Sequence, residues 1–319
     1  MKRYLVIIPD RTTNPDIERE VLGDDVRIIT PNAKSVYEIQ DEIWNKVDAV
    51  LVWHLKINDE VISKLKNCKV IVRYGVGYDN VDISSATKHN IKVCNVPDYG
   101  VEEVADYTIG LLLMTCRGIY IHSKRGKDGD WSYHRSDDLH RISSLTLGII
   151  GFGRIGTAVA LRAKVFGMKI LFYDPYVVEG KDKSIGIKRM SHLNDLLEES
   201  DVITIHTPLT EETKGMISDK QFSLMKDGAI IINTARGGII DKENLCRYLK
   251  LGKINCAALD VFEPEPPDGD WYKDDGIIAT PHMAFFSKES YKELRIKASK
   301  EVKKALDGYV PKNYIKVGV

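Results

Sequence analysis

Short apolar runs recur along the chain, and stretches of helical length and mixed polarity separate them. In the first hundred residues the runs Tyr4–Pro9, Val26–Thr30, Ala49–Trp53, Val70–Arg73 and Lys92–Asn95 read as strands, with Ser35–Lys46 and Asn58–Asn67 as helices between them. Strands alternating with helices predict a small parallel α/β domain. After Asp98-Tyr-Gly100 the pattern changes to one long helix, roughly Val101–Ser123. Glu102, Glu103 and Asp106 lie toward its start and Arg117 toward its end, matching the helix dipole. Its middle, TIGLLLMTC, is apolar on most faces, which predicts burial between domains or subunits. Residues 126–144 are polar and read as a surface loop. From Leu145 the alternation resumes, with strands predicted at 147–151, 169–173, 201–206, 229–234, 254–260 and 276–280. A charged helix, about Ser287–Leu306, and a short tail follow, and the tail is expected to return to the first domain.

The junction at Leu145 carries the most specific local signal. The run Leu147–Ile150 leads into Gly151-Phe-Gly153-Arg154-Ile155-Gly156, then a helical stretch, then a second apolar strand ending in Asp174. This strand, glycine turn, helix, strand and acid stand in the order that a dinucleotide site needs. Gly151 permits the tight turn, Gly153 lets backbone N–H groups approach a pyrophosphate, and Gly156 lets the helix pack on the sheet. Asp174 is placed to accept hydrogen bonds from a ribose hydroxyl, and it would repel a 2′-phosphate. No Arg or Lys stands beside it in sequence, since Pro175 and Tyr176 follow, so NAD rather than NADP is expected.

Composition narrows the class further. Lys plus Arg equals Asp plus Glu at 46 each, so net charge gives no reason to expect nucleic acid or an anionic membrane as partner. The first apolar run is too short for a signal peptide, and no stretch has the length of a membrane span. The five cysteines are scattered without a CxxC pair, which fits a reducing cytosol.

Three later strand ends carry residues suited to chemistry. Arg236, in Asn233-Thr234-Ala235-Arg236-Gly237-Gly238, offers a permanently charged fork that grips a carboxylate bidentately. His282, after Pro281, can exchange a proton near neutral pH. Glu265, in Asp260-Val-Phe-Glu263-Pro-Glu265, would favour the charged imidazolium if it lay beside that ring. Glu263 competes for the role, and spacing alone does not choose between them. His54 is the next candidate histidine. In the first domain Arg73-Tyr74-Gly75-Val76-Gly77-Tyr-Asp79-Asn80 ends a strand, and its glycines could present N–H groups to an anion.

With these motifs the chain resembles the D-isomer-specific 2-hydroxyacid dehydrogenase family along nearly its whole length. Within the family it looks most like the C-terminal-binding-protein branch, from which it departs at Phe285 and Val76. The resemblance implies Arg236, Glu265 and His282 as the catalytic set, choosing Glu265 over Glu263. It implies Asp260 as a nicotinamide contact, and Thr108, Thr207, Pro208, Thr213, Thr234, Ala235, Arg236 and His282 as further cofactor contacts. Arg73, Val76, Gly77, Arg236, His282 and Phe285 are the expected substrate contacts, with His54, Lys56, Tyr74 and Tyr99 as further pocket candidates. The expected architecture is a Rossmann-type NAD domain over 99–283 and a flavodoxin-like α/β substrate domain formed by 1–98 together with 284–319. The expected protein is a cytoplasmic homodimer built on the 101–123 helix that interconverts a 2-oxoacid and its (R)-2-hydroxyacid. The alternative is an NAD-sensing dimeric binding protein of the co-repressor type.

Overall fold

The computed structural model describes residues 3–132 and 139–316. In chain order the strands are β1 (Tyr4–Ile7), β2 (Val26–Ile29), β3 (Ala49–Val52), β4 (Val70–Arg73), β5 (Lys92–Cys94), β6 (Thr146–Ile150), β7 (Lys169–Tyr173), β8 (Lys188–Arg189), β9 (Val202–Ile205), β10 (Ala229–Asn233), β11 (Ile254–Leu259) and β12 (Ile277–Ala279). The α-helices are α1 (Asp16–Leu22), α2 (Asp41–Trp44), α3 (Asp59–Lys64), α4 (Ile83–Lys88), α5 (Val101–Cys116), α6 (Ile119–Lys127), α7 (Arg154–Val165), α8 (Lys181–Ile185), α9 (Leu193–Glu199), α10 (Asp219–Leu224), α11 (Lys242–Lys250) and α12 (Lys288–Leu306). The chain divides into two compact units, Met1–Gly100 with Ser287–Val319, and Val101–Phe286.

The first unit is a five-stranded parallel sheet of order β2-β1-β3-β4-β5, the flavodoxin-like arrangement. Strands β3 and β4 are buried at every position, as expected of a parallel sheet covered on both faces. The C-terminal helix α12 packs on α1, β3 and β4, and Tyr314 bridges to Cys94, so the end of the chain does return to this unit. Asp10, beyond β1, is 3% exposed and accepts from the backbone N–H groups of Trp53, His54 and Leu55 at the end of β3. It satisfies donors that a buried loop would otherwise orphan. Glu18 on α1 is fully buried. It is held by Arg295 of α12 (Nε–Oε1 2.8 Å, Nη2–Oε2 2.5 Å) and by the Tyr74 hydroxyl (2.8 Å).

The second unit is a seven-stranded parallel sheet of order β12-β11-β10-β9-β6-β7-β8. Strand order reverses at β6, which is the doubly wound topology of dinucleotide-binding domains. One hydrophobic cluster, around Ile203, Phe222 and Ile231, covers one face, and another, around Leu112, Val159 and Phe172, covers the other. The helix expected to run from Val101 to Ser123 is two helices, α5 and α6, bent by 61°. The break falls at Gly118, whose φ of 59° is left-handed; a Cβ there would lie 2.9 Å from the His122 ring. The loop expected over 126–144 contains the end of α6 and a short 3-10 turn at Ile142–Ser144, and its residues 133–138 lie outside the described residues. Among the described residues no single helix is long and apolar enough to cross a membrane.

Removing one partner of a buried ion pair leaves the other charge without compensation. Arg295→Met should therefore destabilise the protein by about 3–5 kcal/mol, read as a lower midpoint in urea unfolding. A loss below about 1 kcal/mol would show that the pair behaves as a surface one.

Candidate active site

The polar residues of the second unit collect at the carboxyl ends of its strands. The glycine turn follows β6. Gly151 has φ 89°, and a Cβ on it would meet the His206 carbonyl carbon at 2.7 Å, so this position has no room for a side chain. A Cβ on Gly156 would lie 2.1 Å from the Gly151 carbonyl oxygen; here α7 rests directly on the turn. Gly153 differs, because nothing lies within 4 Å of its Cβ position and it caps α7 with no side chain over the first N–H groups. An open space over uncapped amides at a helix start suits a pyrophosphate. Arg154 and Ile155 open the helix.

Asp174 ends β7 with both carboxylate oxygens engaged. One accepts from Phe152 N (2.7 Å) inside the glycine turn and the other from Tyr176 N (2.9 Å). The acid thus ties the turn to the loop after β7. Beyond β9, the Thr207 hydroxyl is buried and has no hydrogen-bond partner among the described residues. An orphaned buried hydroxyl is costly unless a ligand completes it. With the open Gly153 amides and the acid at Asp174, it makes this strand end fit an NAD molecule. Pro208 is exposed, whereas Thr213 staples its own loop through the Pro208 carbonyl (2.7 Å) and Thr210 N (2.8 Å).

Two expected cofactor contacts are fully buried supports. The Thr108 hydroxyl donates to Val104 O (2.7 Å) and contacts the Thr234 hydroxyl (3.1 Å). Asp260 accepts from Thr280 Oγ1 (2.6 Å), Met283 N (3.0 Å) and Ala284 N (2.8 Å), while its carbonyl accepts from His282 N (2.8 Å). Burial raises the Asp260 carboxyl above its ordinary value, and these donors oppose it. They also fix the segment that carries His282, whose backbone has a left-handed φ of 52°.

His282 Nδ1 meets Glu265 Oε2 at 2.7 Å, and Glu265 Oε1 accepts from Phe262 N at 2.9 Å. Phe285 packs edge-on to the His282 ring, with centroids 6.3 Å apart. Burial pushes the Glu265 carboxyl up, but the hydrogen bond and charge of His282, the Phe262 N–H and the Arg236 charge outweigh it, and the net direction is down. Arg236 stands in a turn braced by Asn233, whose side chain donates to the Arg236 carbonyl (2.8 Å) and accepts from Ala235 N (3.0 Å). A Cβ on Gly237 would lie 2.1 Å from the Phe262 carbonyl carbon, so the Arg236 turn and the Glu265 loop touch backbone to backbone. The structure thus brings Arg236, Glu265 and His282 together on one unit. Burial of the His206 ring pushes it down to about 3, and its Nε2 meets Thr204 Oγ1 at 3.0 Å.

In the first unit the loop after β4 holds Arg73, Gly75, Val76 and Gly77. The Arg73 guanidinium lies over Gly75, where a Cβ would clash with it, and Asn95 donates to the Val76 carbonyl (2.6 Å). His54 and Lys56 are exposed. Tyr99 is 8% exposed and Tyr74 only 1%. Tyr74 is a core residue committed to Glu18 and stacked on Trp53 at 4.4 Å, which corrects its reading as a pocket residue. Sequence reasoning gave no role to Asn233, although Asn at a strand end before a turn is the signal of a side chain that braces the turn. It also missed Arg189, whose guanidinium donates to the Asp174 carbonyl.

These features define an α/β protein with a dinucleotide site and an adjacent acid–base pair. The model of the D-isomer specific 2-hydroxyacid dehydrogenase NAD-binding domain matches residues 109–284, and the chain belongs to that family. It is 37% identical over 308 residues to C-terminal-binding protein 1 of Caenorhabditis elegans, covering 93% of this chain and 42% of that protein. It is 42% identical over 261 residues to D-3-phosphoglycerate dehydrogenase of Methanocaldococcus jannaschii, covering 82% and 50% respectively. The chain thus spans half or less of these curated relatives. The crystal structure of D-lactate dehydrogenase from Aquifex aeolicus, complexed with NAD and lactic acid, superposes with a TM-score of 0.88 at 32% identity, covering 95% of this chain and 96% of that one.

Because the ionised form of Glu265 is favoured in the folded state, the residue adds stability above about pH 4.5, and that contribution is lost as pH falls through its lowered folded value. The stability difference between the wild type and Glu265→Gln, measured by urea unfolding, should therefore narrow on acidification below that pH. A difference independent of pH would show that the pair is not ionic.

Proposed function

We propose that this protein is an NAD-dependent oxidoreductase that interconverts a 2-oxoacid and the (R)-2-hydroxyacid. The 2.7 Å contact between His282 Nδ1 and Glu265 carries the reading. It orients the ring, and the Arg236 charge stands close enough to bear on Glu265. NADH, when bound at the glycine turn, supplies the hydride.

Arg236 grips the substrate carboxylate with its guanidinium fork and polarises the carbonyl. His282, protonated and held by Glu265, donates the proton from Nε2 to the carbonyl oxygen as the alcohol forms; in the other direction the neutral ring removes it. Val76 and Gly77 are assigned to the carboxylate and Phe285 to the substrate side chain. Asp260 and Thr108 act as positioning residues. The cytoplasm is the proposed location, and a homodimer through the α5–α6 region the proposed assembly. Ile119 and Tyr120 of α6 support the dimer, being apolar and exposed by 52% and 43%.

The second reading is an NAD-sensing dimeric binding protein, favoured by the similarity to C-terminal-binding protein 1. Such a role has no need of the Arg236, Glu265 and His282 set, so its assembly here favours the enzyme. NADH oxidation against a panel of 2-oxoacids tests the choice. Turnover of one or more is expected, whereas no turnover together with an NAD-dependent change of oligomeric state supports the second reading. For an active substrate, His282→Ala should lower kcat by about 10²–10⁴-fold and leave NADH affinity nearly unchanged. Near-normal turnover would remove His282 from the mechanism.

A further inference from the structure

The edge strand β8 brings a cation to the end of β7 that sequence neighbours do not supply. The two strands pair in parallel, Leu171 with Lys188 and Phe172 with Arg189. From that register the half-buried Arg189 side chain reaches the end of β7 and its Nη2 donates to the Asp174 carbonyl at 2.9 Å. The neighbouring cations Lys188 and Lys169 share one carboxylate, that of Glu199, at 2.9 and 3.1 Å. Arg189 has no carboxylate partner among the described residues. Asp174, meanwhile, directs its carboxylate at Phe152 N and Tyr176 N. One residue thus presents a negative side chain to the glycine turn while a guanidinium sits on its main chain.

We propose that Arg189 is a second determinant of cofactor choice. Asp174 opposes a 2′-phosphate, and Arg189 is the group that would bind one once this opposition is removed. A guanidinium matches phosphate geometry, and an Arg near the ribose is how this fold accommodates the 2′-phosphate. The chain therefore stands one substitution from NADP use, and its discrimination is the difference between two opposed charges.

The test is the dissociation constants of NADH and NADPH, read by nucleotide fluorescence, for the wild type, Asp174→Ser, Arg189→Gln and the double variant. Nucleotide binding is measured without substrate, so the result does not depend on which 2-oxoacid is reduced. Asp174→Ser should bring NADPH affinity to within about tenfold of NADH. Adding Arg189→Gln should weaken NADPH by roughly tenfold or more and NADH far less, since a charged contact to phosphate is among the stronger hydrogen bonds. Equal weakening of both nucleotides would show that Arg189 only props the Asp174 main chain, and unchanged NADPH binding would show that it does not face the phosphate; either overturns the proposal. If Asp174→Ser unties the glycine turn and binds neither nucleotide, Arg189→Gln against the wild type decides. The NADPH-to-NADH ratio of dissociation constants must rise in that variant for the proposal to stand.

Discussion

Asp260 lies at the end of β11 with no exposed surface. A carboxylate in that position is tolerable only if donors surround it, because burial penalises its charge. The donors are Thr280 Oγ1, Met283 N and Ala284 N, and between them stands His282. Its main chain continues the constraint on both sides: Asp260 N donates to the Asn233 carbonyl at 3.0 Å, and His282 N donates to the Asp260 carbonyl at 2.8 Å. The ends of β10, β11 and the segment after β12 are thereby joined in one line of backbone hydrogen bonds. Asn233 then sets the Arg236 turn and Asp260 sets the imidazole. The spacing between the Arg236 turn and the His282 ring is a property of main chain, which deforms less readily than side chains.

Three acids of this molecule are stabilised in three different ways. Glu18 has a guanidinium and a phenol hydroxyl, Asp260 has neutral donors, and Glu265 has an imidazole and a backbone N–H. Glu18 needs a partner that is charged at every working pH and has one in Arg295. Glu265 has an imidazole partner in place of a guanidinium.

Much of this was legible from residue order. The strands were readable because buried parallel strands are continuous apolar runs, and the glycine turn because Gly151 and Gly156 occupy places where a Cβ would strike backbone. The site residues stood at strand ends, where a parallel sheet exposes its carboxyl termini. What escaped has a common cause in contacts between distant positions. Tyr74 looked like a pocket aromatic because its hydrogen-bond partner lies far off, Glu18 at a separation of 56. Strand β8 is two charged residues and carries no apolar pattern, so Arg189 could not be placed beside Asp174. The bend at Gly118 was hidden because apolar residues continue past it. Thr108 and Asp260 read as contacts, and only the folded arrangement shows how many protein groups they already satisfy.

The left-handed backbone of His282 has a consequence for how such a chain changes over time. An L-residue with a branched or bulky side chain is held there at a cost of about 1 kcal/mol or more, while glycine or asparagine would be relaxed. Conformational preference and chemistry therefore select different residues at this position. Under the proposed function, drift under selection for durability alone would run toward glycine or asparagine, which cannot carry the proton, and the descendants that lost it would be the more heat-tolerant ones.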